Sequence, residues 1–87
     1  MRNIKFVIEA FIEGELICDE TVESNQRLLN EQDLDVICIN HNKDMVFVRD
    51  SINVNTGYFL ADDGRWCYGT RVDAVNKIKM RYGYKKD

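Results

Sequence analysis

Cys18, Cys38, Cys67 and His41 are the side chains here with the softest metal-binding chemistry. Cys38-Ile39-Asn40-His41 has ligand-like spacing, and Cys18 and Cys67 would complete a Cys3His set for zinc. There is no Cys-x-x-Cys knuckle, however, and a strand through Cys38 would send its neighbours in alternating directions. Inert buried thiols and a solvated turn histidine are the expectation, with no metal and no cofactor. Cys38 and His41 also form a nominal nucleophile–base pair, but no orienting group or Gly-rich oxyanion turn accompanies them. Asp62-Asp63 reads as turn chemistry rather than paired catalytic carboxylates, and no phosphate-cradling glycine motif is present. The chain is therefore expected not to be an enzyme.

The aromatic side chains around Asp63-Gly64 point to binding instead. An Asp-Gly pair between apolar runs predicts a two-residue hairpin turn, because glycine reaches positive φ without steric cost. That turn pairs Ala61 with Trp66 and Phe59 with Tyr68. Phe59, Trp66 and Tyr68 then share one face, and Tyr58, Leu60 and Cys67 the other. One helix cannot cover two apolar faces, so the second needs another helix, a partner or a ligand. Tyr58, Phe59, Trp66 and Tyr68, with Asp62 and Asp63 at the turn, are the candidate partner-binding residues.

Past Gly69 the apolar spacing lengthens towards 3.6, with Val72, Val75, Ile78 and Tyr82 in one stripe. This predicts an amphipathic helix over 71–82, with Thr70 and Asp73 forming a capping pattern. Gly64-Arg65-Trp66-Cys67-Tyr68-Gly69-Thr70 and the following helix with Ala74 locally resemble the last strand and helix of plant AP2 domains and phage integrase arm-binding domains. The resemblance covers this short stretch alone and implies a three-stranded sheet laid on DNA. The chain departs from it in carrying few Arg or Lys on its sheet-forming segments.

The rest of the chain must position these groups. Residues 4–12 alternate Ile4, Phe6, Ile8, Ala10 and Ile12 with Lys5, Val7, Glu9 and Phe11, the pattern of a strand. Glu13-Gly14 can turn the chain into a return strand over 15–22. Ser24 is a plausible N-cap for a short helix over 24–32, or for an irregular connection with one helical turn. Residues 36–40 and 45–49 read as a hairpin turning at Asn42-Lys43, with Ile37 facing Val48 and Ile39 facing Val46. Residues 50–56 alternate Ile52, Val54 and Thr56 with polar neighbours and could extend a strand. The expected architecture is α+β in a single domain, residues 1–87. It has a mostly antiparallel sheet of about five or six strands, a C-terminal amphipathic helix and one short second helix.

Composition sets the partner class. At 87 residues and 45% hydrophobic, the chain can bury a core that only just suffices, so any exposed apolar face is a candidate contact, including one between two copies. No stretch approaches a membrane span and no targeting segment is visible. Three cysteines at wide spacing argue for free thiols and a cytoplasmic setting. The net charge of −3 divides unevenly: residues 71–87 hold six basic and two acidic side chains, net +4, leaving −7 on residues 1–70.

Three functions follow as expectations. The first is a protein-binding inhibitor or regulator, such as a phage-encoded protein acting on a host or defence enzyme, that occupies a basic groove with acidic and aromatic side chains. The second is a nucleic-acid-binding domain using Arg71, Lys77, Arg81, Lys85 and Lys86. The third is a homodimeric sponge for a small ligand or nucleotide.

Overall fold

The computed structural model describes residues 3–13 and 15–81, without the Cys18 side chain. Ile4–Ile12 (β1) forms as its alternation predicts: Phe6, Ile8 and Ala10 are buried on one face, and Glu9 and Phe11 on the other. Glu13 turns the chain at φ 53°, and Glu15–Ser24 (β2) returns antiparallel, with Ile4 opposite Ser24 and Ala10 opposite Cys18. A bulge follows Ala10, and beyond it Ile12 is exposed.

Because β2 runs through Ser24, the helix expected over 24–32 does not form. Ser24 Oγ accepts the Gln26 N–H at 3.1 Å, a local turn rather than a helix cap. The helix starts later, as Glu31–Ile37 (α1). Asn30 Oδ1 accepts the Asp33 N–H at 2.8 Å while the Asp33 carboxylate accepts the Asn30 N–H at 3.3 Å, a reciprocal capping box. Leu34, Ile37 and Cys38 face inwards at helical spacing, whereas Val36 and Ile39 are exposed. The strand expected over 36–40 is therefore overturned: β-branched residues suggest it, but the i, i+3, i+4 burial pattern is helical. Ile37 does not face Val48, nor Ile39 Val46.

Asn42 Oδ1 accepts the Asp44 N–H at 3.1 Å and opens a 3-10 turn at 43–45. Val46–Asp50 (β3) follows and pairs with β1, Ala10 opposite Val46 and Ile8 opposite Val48. Residues 51–55 do not extend it. The Asp50 carboxylate accepts the Ile52 N–H at 2.7 Å and Asn53 Oδ1 accepts the Asn55 N–H at 3.2 Å, two side-chain-closed turns that leave Ile52 and Val54 exposed.

Thr56–Leu60 (β4) and Trp66–Thr70 (β5) form the last hairpin, and Arg71–Arg81 (α2) follows it. Thr70 Oγ1 accepts the Asp73 N–H at 3.3 Å, the expected cap. The buried stripe of α2 is Ala74 and Ile78 with Val75 beside them, rotated from the expected one so that Val72 is exposed. Tyr82 lies outside the described residues.

The sheet order is β2-β1-β3-β4-β5, with every neighbouring pair antiparallel, so the fold is α+β. Its two faces bury separate cores. Phe6, Ile8, Ala10, Val46, Val48 and Tyr58 pack under Leu29, Leu34 and Cys38 on one side. Phe11, Phe47 and Phe59 pack under Ala74 and Ile78 on the other. The second apolar face of the hairpin is thus covered by α1 and the segment leading into it.

Two glycines make different demands. A Cβ on Gly57 would lie 2.3 Å from the Val48 carbonyl oxygen and 2.7 Å from Arg49 Cα, so β3 and β4 can approach only because the side chain is absent. Gly64 has open space around it but φ +85°. Gly57→Ala is expected to cost about 3 kcal/mol or more through backbone displacement, and Gly64→Ala only about 1 kcal/mol. Urea midpoints check this, and equal losses would contradict it.

Candidate functional site

The last hairpin differs from its expected register by one residue. Leu60 pairs with Trp66, Phe59 with Cys67 and Tyr58 with Tyr68. The loop holds three residues, 62–64: the Ala61 carbonyl accepts the Gly64 N–H at 3.0 Å, the Arg65 carbonyl accepts the Ala61 N–H at 2.9 Å, and Gly64 takes the left-handed position. Such a turn with its glycine bulge replaces the two-residue turn. Asp63 stabilises it by accepting the Arg65 N–H at 3.1 Å. The shift moves Phe59 away from Trp66 and Tyr68, correcting the expected face: Tyr58, Leu60, Trp66 and Tyr68 lie on the α1 side, Phe59 and Cys67 on the α2 side.

The four aromatic candidates therefore separate. Tyr58 and Phe59 are core residues. The Tyr58 hydroxyl accepts the Leu29 N–H at 3.0 Å, its ring meets Tyr68 edge-on at 4.9 Å between centroids, and burial pushes its phenol pKa up. Trp66 is half-buried and strapped to α1: its indole N–H donates to Asp35 at 3.0 Å and its backbone N–H to Glu31 at 3.4 Å. Arg65 reinforces the strap on Glu31 at 3.2 Å, and Lys43 on Asp35 at 3.0 Å. Only Tyr68 presents half its surface, its hydroxyl 2.9 Å from Thr56 Oγ1.

The basic candidates on α2 are engaged as well. Glu9 is 5% exposed and receives Arg71 through two nitrogens, at 2.8 and 3.3 Å, and Arg49 at 3.4 Å. Lys77 and Arg81 each approach Asp62 at 3.7 Å, and Arg81 also donates to the carbonyls of Leu60 and Asp44. Asp62 itself is exposed, so its ion pairs are weak ties at the helix end. Lys85 and Lys86 lie outside the described residues. The five-stranded sheet with a helix over each face also departs from the bare three-stranded sheet implied by the AP2-like stretch.

Desolvation disfavours the thiolate at Cys38 and also at Cys67, which is less completely buried. Cys38 is completely buried, and desolvation pushes its thiol up to about 12, far from the thiolate needed for attack or ligation. Cys67 belongs to the opposite core, so the sheet separates the two sulfurs. His41 Nε2 lies 3.0 Å from the Glu20 carboxylate. Among the described residues no group of three His, Cys, Asp or Glu could hold a metal ion.

Two features escape a reading of sequence. One is the Glu9 cluster, whose signal is a lone carboxylate at the centre of the otherwise apolar row Val7, Glu9, Phe11. The other is β2 itself. Among the described residues it pairs with β1 alone, which makes it an edge strand ten residues long. Glu15, Asp19, Glu20 and Glu23 are exposed along it, and among the described residues no side-chain hydrogen bond or ion pair engages the carboxylates of Glu15 or Asp19. Residues 4–24 hold one lysine against six carboxylates, net −5.

Asp35 offers a pH test. Hydrogen bonding from the Trp66 indole, then from Lys43, lowers its pKa below the ordinary 3.8. This stabilisation is present above pH 3.8 and is lost as pH falls through the lower folded value. Trp66, the sole tryptophan, should report the loss as a fluorescence change with a midpoint below 3.8, absent in Asp35→Ala. For the clamp, Glu9→Ala should cost about 3 kcal/mol by leaving two guanidiniums unpaired, and Arg71→Ala less because Arg49 remains on Glu9. Thermal or urea unfolding checks that order.

No family model, curated protein or solved structure matches the chain, so its function has to be argued from these contacts.

Proposed function

We propose that this chain is a non-enzymatic protein-binding module, an inhibitor or regulator, that takes an extended basic segment of its partner along β2. The observation that carries the reading is the ten-residue edge strand with exposed carboxylates at 15, 19, 20 and 23. An edge strand offers unpaired backbone donors and acceptors, and a partner strand completes the ladder. Opposite charges placed directly across such a ladder stabilise it, and like charges oppose it. Two copies of β2 would bring carboxylate against carboxylate, so acidic side chains protect this edge from self-pairing while leaving it open to a basic chain.

Other features fit better with this reading than with nucleic-acid binding. A surface that tracks phosphates needs free cations, whereas Arg71, Lys77 and Arg81 already meet Glu9 and Asp62. The partner's basic character suits an enzyme that handles nucleic acid, whose groove an acidic module could occupy. No described helix is long and apolar enough to cross a membrane. Tyr68, Trp66, Asp62 and Asp63 border the opposite edge, β5, and are the secondary candidates for contact.

The test uses a synthetic peptide of alternating Thr and Lys, titrated into the labelled full chain, with amide signals and hydrogen exchange followed residue by residue. Binding should slow exchange of the outward β2 amides and weaken steeply between about 50 and 300 mM salt, as screening shortens the reach of charge. Asp19→Lys/Glu23→Lys should weaken it at least tenfold, about 1.4 kcal/mol. Unchanged β2 amides at saturating peptide, or equal affinity of the variant, would leave the carboxylates as edge guards only and end the proposal.

A further inference from the structure

Between β2 and α1 lies a pocket of about 160 Å³. Phe6, Val22, Leu29 and Ile37 form its apolar lining, and Asp33 adds one carboxylate. Val36 of α1 lines it too and is 68% exposed. A cavity of roughly 150 Å³ accepts a molecule the size of benzene, so this pocket has room for a single large apolar side chain. Filling it would take apolar surface out of water on both partners.

The register of the sheet places this pocket beside the path of a strand added to β2. Val22 lies opposite Phe6 and so points to the α1 side, as Phe6 does. Asp19 lies opposite Glu9 and Glu23 opposite Lys5, which puts both carboxylates on the α2 side. Residues directly across a ladder send their side chains to the same face, and successive residues alternate. A segment paired with β2 therefore directs the side chain opposite Val22 towards the pocket, and the side chains on either side of it towards the face of Asp19 and Glu23. Among the described residues no strand lies beyond β2 to occupy that position.

We infer that, given the docking along β2 proposed above, the partner's segment carries one leucine-sized aliphatic residue between its basic ones, and that this side chain seats opposite Val22 in the pocket. Charge on one face and a single apolar side chain on the other then recognise the segment together. The carboxylates draw in any basic strand, and the pocket fixes its register. A slip by one residue would send the aliphatic side chain to the acidic face and a basic one to the pocket. A slip by two would set the aliphatic side chain opposite Glu20 or Ser24, the neighbours of Val22 on the α1 side.

Two peptides decide it: the alternating Thr and Lys chain, and the same chain with its central Thr replaced by Leu. Each is titrated into the full protein labelled with carbon-13 and nitrogen-15. The Leu peptide should bind at least about tenfold tighter, the order of gain from burying one leucine side chain. Its methyl protons should give nuclear Overhauser contacts to Val22, Val36 and Ile37. In Val36→Gln, which changes an exposed position of α1, the Leu peptide should lose most of that gain while the alternating peptide binds as before. Native dispersion of the amide signals checks that the variant folds. Equal affinity of the two peptides, with the β2 amides protected by both, would overturn the inference and leave the docking along β2 standing. Failure of either peptide to protect β2 would overturn both. Leu contacts at Ile12 or Ile17 in place of the pocket would also overturn it, as would contacts to Val36 from a second copy of the protein in a mixed labelled sample without peptide.

Discussion

The carboxylate of Glu9 joins the sheet to its C-terminal helix. It sits in the middle of β1 with almost no exposure, and guanidiniums from β3 and from the first residue of α2 converge on it. Desolvating a carboxylate costs several kcal/mol, and only well-placed opposite charges with hydrogen bonds offset it. The geometry of the clamp therefore constrains everything bound to it. Arg71 follows Thr70 directly, so the clamp and the Thr70 cap together fix where α2 begins and which way it runs. Ala74 and Ile78 then fall on Phe47 and Phe59, and Arg81 closes the far end on the carbonyls of Leu60 and Asp44.

Much of this framework was legible in residue order. β1, the return strand, the last hairpin and α2 each follow from local patterns that tertiary packing then reinforces, and so does the α+β class. The failures have particular causes. Residues 36–40 are rich in β-branched side chains, yet the capping box at Asn30 and Asp33 commits the preceding residues to a helix, and Leu34, Ile37 and Cys38 continue its inner face. The last hairpin turned on whether Asp63-Gly64 filled a two-residue or a three-residue loop. Sequence offers little to separate the two, but the choice moves Phe59 to the other side of the sheet. Sheet order had no local signature, because β3 reaches β1 only after the chain has passed through α1. The outer position of β2, and with it the candidate docking edge, was hidden for the same reason.

The acidic character of the body also looks different once its members are placed. Glu9 is a buried clamp, Asp33 a cap, Asp63 a turn stabiliser, and Glu31 and Asp35 hold Trp66 and Arg65. A charge count treats them alike, although their environments range from the interior to open water. Subtracting those with structural duties leaves β2 with the least engaged carboxylates. The aromatic hairpin undergoes the opposite change: it is rich in binding-type side chains, and most of them are occupied in holding the two layers together.

The two covers of the sheet are unequal. α2 is eleven residues long and fixed at both ends by arginine, whereas the other face lies under a seven-residue helix and an irregular approach. That approach is tied down by the Leu29 N–H on the Tyr58 hydroxyl and by the burial of Leu29 itself. Local opening proceeds most readily where few apolar contacts and few backbone bonds must break together. The molecule therefore has a hard side and a soft side. Opening of the α1 layer would have to release Leu29 from Tyr58 and the Trp66 and Arg65 ties from Asp35 and Glu31, and it would uncover Tyr58 and Cys38 without touching the arginine-clamped half.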